Sequence, residues 1–201
     1  MHLLSSLVLL SWQFSLGLCF PILGLLFPTP NPPIDTDTDT APIPLHDLPT
    51  LFSPPSTVDS LATETIRKTL SLYPFAIDGK NFAALDRIFT EDAVANYSAP
   101  LGVLSPLSSI QETLGQSLKC VTTQHSLGTQ LIDVIGPWHA RSVTYYTAAH
   151  FGRGELSDQV ATAHGQYQDS WERQVDGTWR VVYRNLVYMS EVIGNQAVFV
   201  C

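Results

Sequence analysis

The chain has 201 residues, of which 45% are hydrophobic and 14% are charged, with a formal net charge of -8. That length suits one sizeable domain with appendages, and the apolar content predicts a packed core rather than a disordered chain. Only 10 lysines and arginines occur in the sequence, so the clustered positive charge that phosphate binding requires is missing, and a nucleic-acid partner is excluded.

The first 33 residues contain no Asp, Glu, Lys or Arg and include the apolar run Leu3–Leu10. Small residues leading up to Cys19 match the pattern that signal peptidase cuts, which makes residues 1–19 a cleaved secretory signal. Because apolar character resumes at Phe20–Phe27, the stretch also fits an uncleaved membrane anchor, and a cytosolic tail is the third interpretation. In the first two cases the protein enters the secretory pathway and is secreted or associated with a membrane through its N-terminus.

Residues 20–56 lead from this apolar stretch into a linker rich in proline, threonine and aspartate. The many prolines and the alternation DTDTDT at residues 35–40 cannot bury enough apolar surface to fold, so we expect an extended soluble segment. The folded domain is expected to cover residues 57–192. Residues 193–201 form a tail in which the pattern specifies no element.

Three helices are predicted at the start of this domain. The first starts near residue 57, bends at Pro74 and ends at Asp78, where Gly79 permits a left-handed cap. The other elements before the sheet are a helix at Phe82–Phe89, a strand at Ala93–Tyr97 and a helix at Pro106–Leu118.

From residue 120 onward the pattern changes to long strands. Asp176-Gly177, between two such runs, is the strongest local hairpin signal. Helices followed by a long antiparallel meander indicate an α+β fold, in which a strongly curved sheet covered by three helices makes a cone with a cavity inside. The predicted strands are Val121–Ile135, Ala140–Phe151, Val160–Gln174 and Thr178–Met189.

The first two of these strands each bring one histidine to a defined face of the sheet. A face that carries His, Tyr and Thr among apolar groups suits the wall of a ligand pocket better than a structural core. The residues that alternate onto this face are Thr123, His125, Leu127, Thr129 and Leu131 on the first strand and Thr144, Tyr146, Ala148 and His150 on the second.

Several short phrases resemble the SnoaL-like branch of the nuclear-transport-factor-2-like superfamily, and within it the scytalone dehydratase pattern. The likeness covers residues 57–192. It rests on AIDGKNF at 76–82 with IFTEDA at 88–93, TQHSLG at 123–128, AH at 149–150, and AHGQY at 163–167 with VDGTWR at 175–180. The phrase TQH with a second strand histidine further on is the piece most specific to the dehydratase-like group.

This resemblance implies a conical α+β barrel with a buried pocket and with no metal or organic cofactor. The dehydratases use an Asp, two His and two Tyr for proton transfer. By position, Asp78, His125 and His150 match the carboxylate and the two imidazoles, and Tyr97 matches one water-holding tyrosine. The other tyrosine position holds Ile77 here, which departs from the pattern and leaves the substrate open.

Imidazole suits proton transfer near neutral pH, and a neighbouring carboxylate fixes its tautomer. We therefore expect an Asp78–His150 contact to prepare a base, while His125 and Tyr97 protonate a leaving hydroxyl or hold a carbonyl. Such a set fits a cofactor-independent dehydratase, cyclase or isomerase of polyketide-type secondary metabolism. The substrate is expected to be a small hydrophobic molecule, bound by Tyr146, His164, Gln166 and Gln168.

Two other functions stay open. One is an epoxide hydrolase or epoxide-opening cyclase, in which an Asp–His pair activates water; Asp133 and Arg141 are either part of such a site or a salt bridge at its rim. The other is a secreted ligand-binding module, in which the histidines are satisfied structural residues. A homo-oligomer through the open face of the sheet is compatible with the superfamily.

Cys120 and Cys201 are the two cysteines outside the leader. They either form a disulfide, if the chain is secreted, or remain free, and their spacing does not decide between these states.

Overall fold

A computed structural model describes residues 40–52 and 58–201 of the chain. The predicted signal or anchor at residues 1–19 and most of the linker lie outside this part. In the part that is described, no helix is both long and apolar enough to cross a membrane.

The longest helix, α2, spans Ser60–Asp78 and begins where the Asp59 side chain accepts a hydrogen bond from the backbone N–H of Ala62. It continues through Pro74, as predicted. Its end differs from the prediction: Gly79 is right-handed, and Lys80 is the residue with positive φ. Glycine is needed at position 79 for another reason, because a Cβ there would lie 2.8 Å from the carbonyl oxygen of Phe75.

The remaining elements follow the predicted order with shifted bounds. The predicted second helix is a single 3₁₀ segment, Phe82–Arg87, which passes directly into the first strand. The helices are α1 at Leu48–Leu51, α2, and α3 at Leu107–Ser117. The strands are β1 at Phe89–Asn96, β2 at Val103–Leu104, β3 at Thr122–Val134, β4 at His139–Phe151, β5 at Val160–Arg173, β6 at Trp179–Tyr188 and β7 at Ile193–Gly194.

The predicted α+β fold is confirmed. The strands form one curled, unclosed sheet in the order β2-β1-β6-β5-β4-β3, with β7 continuing the pairing along β5. All neighbours are antiparallel except β1 and β6, which are parallel because the chain crosses the sheet between them. Helix α2 covers the concave face and packs the buried stripe Ile66, Leu70, Tyr73 and Ile77 against it.

A shift of register in β3 corrects one prediction about this face. Leu127 pairs with Tyr146, but the next pair is Gln130 with Thr144, so one extra residue bulges out between them. The alternation therefore reverses after Leu127. As a result, Thr129 and Leu131 point outward and are exposed, while the amide of Gln130 donates to the Thr144 hydroxyl.

The C-terminal tail, for which the sequence pattern gives no element, is an ordered part of the domain. Strand β7 pairs with β5, and a 3₁₀ turn at Gln196–Phe199 follows it. A disulfide joins Cys120 to Cys201, with their Cα atoms 5.6 Å apart. The tail is thereby fixed to the loop after α3.

Residues 40–52, which composition assigns to the soluble linker, lie against the convex face of the sheet. The backbone N–H of Ile43 donates to the Gln168 side chain at 2.7 Å, and the same side chain donates back to the Ile43 carbonyl at 2.9 Å. Asn185 and Arg141 donate to the carbonyls of Thr40 and Leu51. Polar side chains on the sheet thus satisfy the backbone of this segment, so it binds without a large apolar surface of its own.

Candidate active site

The centre of the site is a carboxylate–imidazole pair formed by Asp78 and His125. Asp78 is the last residue of α2, and its Oδ1 lies 2.7 Å from Nδ1 of His125 on β3. Its other oxygen accepts the backbone N–H of His125 at 2.8 Å. Two hydrogen bonds to one carboxylate fix both the position of the ring and its tautomer, with Nδ1 carrying the proton and Nε2 left free.

This geometry corrects the expected Asp78–His150 contact. Asp78 lies at the helix end over β3, and its two oxygens are taken by the ring and backbone of His125, on the strand beside that of His150. Partial burial works against ionisation of Asp78, but the hydrogen bonds from His125 outweigh it and hold the pKa of the carboxyl below its ordinary value. Asp78 is therefore a carboxylate at neutral pH.

His150 on β4 provides a second imidazole in a different electrostatic state. Its Nδ1 lies 3.1 Å from the carbonyl oxygen of Ala161, which can only accept, so Nδ1 carries the proton. Burial lowers the pKa of His150 to about 4, although the bond to Ala161 opposes this shift. The ring is thus neutral near pH 7 and has a free acceptor nitrogen. The His125 and His150 ring centroids are 6.1 Å apart.

Tyrosine hydroxyls form a further group. The Tyr97 hydroxyl lies 3.1 Å from that of Tyr73 on α2. Burial raises the pKa of both groups, so they stay protonated and able to donate. Tyr146 stacks on Tyr167 with centroids 4.3 Å apart, and its buried hydroxyl has no hydrogen-bond partner among the described residues. A buried donor without a partner is a candidate contact for a ligand.

A buried ion pair supports these rings from behind. Arg184 and Asp169 are both fully buried and joined by two hydrogen bonds, of 2.7 and 2.9 Å. The guanidinium carbon of Arg184 lies 4.4 Å from the Tyr73 ring centroid and 4.3 Å from that of Tyr167. Stacking of this kind fixes the planes of the two rings that the cavity exposes.

These groups surround one cavity of about 470 Å³. His125, His150, Tyr97 and Tyr146 line it, as predicted, and no Asp, Glu, Lys or Arg is among the described residues of its wall. A second concavity of the same size lies outside α2 near Phe75, but none of the described residues lining it is a histidine. Of these two cavities, the first is therefore the one that has imidazoles in its described wall.

Three of the predicted substrate-binding residues are not in this wall. His164, Gln166 and Gln168 do share one face of β5, but that face is the convex one. Ala163 and Tyr167, which alternate with them, line the cavity instead. His164 contacts the Thr147 hydroxyl, and Gln168 binds Ile43, so the structure gives these polar side chains a role in holding the outer face.

The Asp133–Arg141 pair also lies outside the cavity. Its two side chains are about one-third exposed, and Arg141 in addition holds the Leu51 carbonyl. Of the two predicted alternatives, an epoxide-opening site or a salt bridge, the structure therefore supports the salt bridge.

Sequence reasoning missed residues that line the cavity from distant parts of the chain. Tyr73 had a readable signal, since it lies four residues before Ile77 and so shares its helix face. Phe199 had none: it packs on His150 with centroids 4.8 Å apart, and only the fold of the tail brings it there. Val192 and Gln196 line the cavity for the same reason.

Among the described residues, no group of three or more His, Cys, Asp or Glu is placed to hold a metal ion. The prediction that the protein needs no metal or organic cofactor stays a prediction.

A family model described as a SnoaL-like domain matches residues 58–185. The chain belongs to the SnoaL-like family. Uncharacterised proteins of Mycobacterium tuberculosis and Mycobacterium bovis are 32% identical over 120 residues, which is 59% of this chain and 80% of theirs. SnoaL-like and related proteins include dehydratases and isomerases, and their fold commonly binds small hydrophobic ligands.

Solved structures share the fold at low sequence identity. A protein from Kribbella flavida aligns with a TM-score of 0.62 and 19% identity, over 71% of this chain and 98% of its own. A candidate scytalone dehydratase from Novosphingobium aromaticivorans aligns with a TM-score of 0.56 and 22% identity, over 65% and 85%. An NTF2-like protein from Salmonella enterica aligns with a TM-score of 0.58 and 18% identity, over 67% and 95%. At these identities the likeness establishes the fold of the SnoaL-like domain.

Proposed function

We propose that this SnoaL-like protein is a cofactor-independent acid–base enzyme that acts on a neutral, hydrophobic small molecule as a dehydratase, cyclase or isomerase. The observation that carries the proposal is the Asp78–His125 pair, whose imidazole lines a cavity also walled by a neutral His150. An imidazole backed by a carboxylate can take a proton from carbon and return it to oxygen, and the neutral His150 can accept a hydrogen bond from a substrate hydroxyl.

For a dehydratase, these residues can supply every proton transfer that the reaction needs. Nε2 of His125 removes a proton from the carbon beside a carbonyl, and the Asp78 carboxylate stabilises the imidazolium that forms. The Tyr73–Tyr97 hydroxyl pair donates to the carbonyl oxygen as negative charge develops on it. His125 then returns the proton to the departing hydroxyl, which leaves as water. An isomerase or cyclase uses the same first step and a different destination for the proton.

The wall supports a neutral substrate. Without an Asp, Glu, Lys or Arg among its described residues, it has no partner for a carboxylate or phosphate, and burial of an unpaired charge is costly. Tyr167 and Phe199 offer aromatic surface to an apolar ring system. This pattern of a few convergent polar groups in apolar surroundings is typical of small-molecule sites.

The test is turnover of a panel of neutral cyclic β-hydroxy ketones by the purified protein, followed by mass spectrometry. We expect loss of one water from a substrate, abolished by His125→Ala and strongly reduced by His150→Ala and Tyr97→Phe. Tyr145→Phe, which removes a hydroxyl from the convex face, is the matched control. Binding without turnover in any member of the panel would instead favour a ligand-binding module.

Labelled water separates elimination from epoxide opening. Dehydration releases substrate oxygen and leaves the product unlabelled, whereas hydrolysis of an epoxide adds the label to the product. Incorporation of labelled oxygen from water into the product of an epoxide substrate would overturn the dehydratase assignment.

We also propose that the protein works in an oxidising compartment. The Cys120–Cys201 disulfide supports this, because such bonds persist in secreted proteins and are reduced in the cytosol. Fractionation of cells that express the full chain tests it: we expect the protein in secretory fractions with the disulfide intact, and a reduced cytosolic protein would contradict the proposal.

A further inference from the structure

Lys80 has a backbone conformation that is unusual for a residue with a side chain. It follows Gly79 at the end of α2 with φ of 56°, in the left-handed region that residues with a Cβ rarely adopt. Its side chain is half-buried rather than extended into solvent. Strained backbone of this kind persists where the surrounding structure holds it, and it clusters at functional sites.

The side chain of Lys80 lies near the Asp78 carboxylate of the candidate site. Its Nζ donates to the Thr123 hydroxyl at 3.1 Å, and Thr123 is buried on β3. Hydrogen bonding by Thr123 also contributes to the lowered pKa of the Asp78 carboxyl. The Lys80 ammonium group therefore lies beside Thr123, while the His125 imidazole contacts the Asp78 carboxylate directly.

We propose that Lys80 is a positioning residue that acts through Thr123 to keep the Asp78 carboxylate turned toward His125. With the carboxylate held in this way, His125 keeps its proton on Nδ1 and its free Nε2 toward the cavity. The consequence for turnover rests on the proposed function, whereas the consequence for Asp78 itself does not.

The charges around the pair agree with this role. The ionisable groups that face Asp78 and Lys80 are His125 on β3, His150 on β4 and Arg153 after β4. Arg153 is held separately, by the Thr122 hydroxyl and the Lys119 carbonyl. Lys80 is therefore the cation whose side chain is linked to the carboxylate through Thr123, and its positive charge also disfavours protonation of His150.

The first experiment is an NMR titration of the Asp78 carboxyl carbon and the His125 ring nitrogens in the full-length protein. In Lys80→Met we expect the pKa of Asp78 to rise by about one pH unit and the His125 tautomers to mix. Thr123→Val, which removes only the hydroxyl, should produce a shift in the same direction. Lys80→Arg keeps the cation and should stay close to wild type, as should Lys68→Met, which removes an exposed lysine from α2.

An unchanged Asp78 titration in Lys80→Met would overturn the proposal, and a shift in Lys80→Met without one in Thr123→Val would overturn the route through Thr123. If Lys80→Met does not fold, Thr123→Val and Lys80→Gln carry the same test. Turnover gives the second readout: the acidic limb of kcat/KM should move upward in Lys80→Met but not in Lys68→Met. A shifted titration in a protein that turns over nothing would reject the enzymatic function and leave the role of Lys80 standing.

Discussion

Among single residues, catalysis by the proposed mechanism depends on which imidazole the Asp78 carboxylate contacts. Asp78→Asn keeps the size of the side chain but replaces an acceptor with an amide that cannot stabilise the imidazolium of His125. We expect kcat/KM to fall by about two to four orders of magnitude, with little loss of stability. The measurement is steady-state turnover, and Asp47→Asn, which neutralises an exposed carboxylate in the segment on the convex face of the sheet, is the control. Full activity in Asp78→Asn would contradict the assigned role.

His150 makes stability depend on pH. An unfolded histidine takes up a proton below about pH 6.5, but the folded protein protonates His150 only below about 4. Between these values the unfolded state binds more protons, so the free energy of unfolding should fall as the pH is lowered from 6.5 to 4 and level off below. Denaturant titrations across this range test it. His150→Gln should flatten this part of the profile, and an unaltered slope would show that His150 is not buried in the neutral form.

At the scale of elements, the C-terminal tail is the part whose role is least visible in the sequence. The disulfide spans 81 residues and ties the tail, with Phe199 against His150, to the loop after α3. Cys201→Ser should lower the free energy of unfolding by about 2–4 kcal/mol and raise KM more than it lowers kcat, because a wall of the cavity is released. Reductant should produce the same change in the wild type. An unchanged KM in Cys201→Ser would show that the tail does not contribute to the binding of substrate.

Unlike the tail, the segment at residues 40–52 is expected to affect stability without affecting catalysis, and Gln168 is the residue that tests this. Because Gln168 holds the backbone of Ile43 on the convex face, Gln168→Ala should cost about 1–3 kcal/mol of stability and leave kcat and KM unchanged. Chemical denaturation and steady-state kinetics measure the two effects. Gln124→Ala, at an exposed position on the same sheet, should change neither. A raised KM in Gln168→Ala would restore the original prediction that this residue binds substrate.

At the scale of the whole molecule, local patterns predicted the order of elements and the cavity wall on β4, since alternation along a regular strand determines which residues share a face. They failed where the two faces of a strand are both buried. On β5 the alternation of polar residues predicts pocket groups, but residues 40–52 cover the outer face, so Gln166 and Gln168 are buried on the side away from the cavity. The bulge in β3 had one local signal, Gly128, which weakens a strand at that point.

Contacts between distant parts of the chain were beyond these patterns. The spacing of Cys120 and Cys201 was compatible with either a free or a paired state, because pairing depends on how the tail returns to the sheet. The partner of Asp78 was likewise undetermined, since His125 and His150 lie on adjacent strands and differ only in which one the end of α2 reaches. The helical periodicity, by contrast, is sufficient to place Tyr73 on the same helix face as Ile77.

Acid–base catalysis at this cavity is best tested by the metabolite profile of the producing organism with the gene intact, deleted, and replaced by the His125→Ala form. We predict that one neutral intermediate accumulates in both altered strains and exceeds the missing product by the mass of one water, or equals it for an isomerase. A deletion that changes the profile while His125→Ala restores it fully would contradict acid–base catalysis at this cavity.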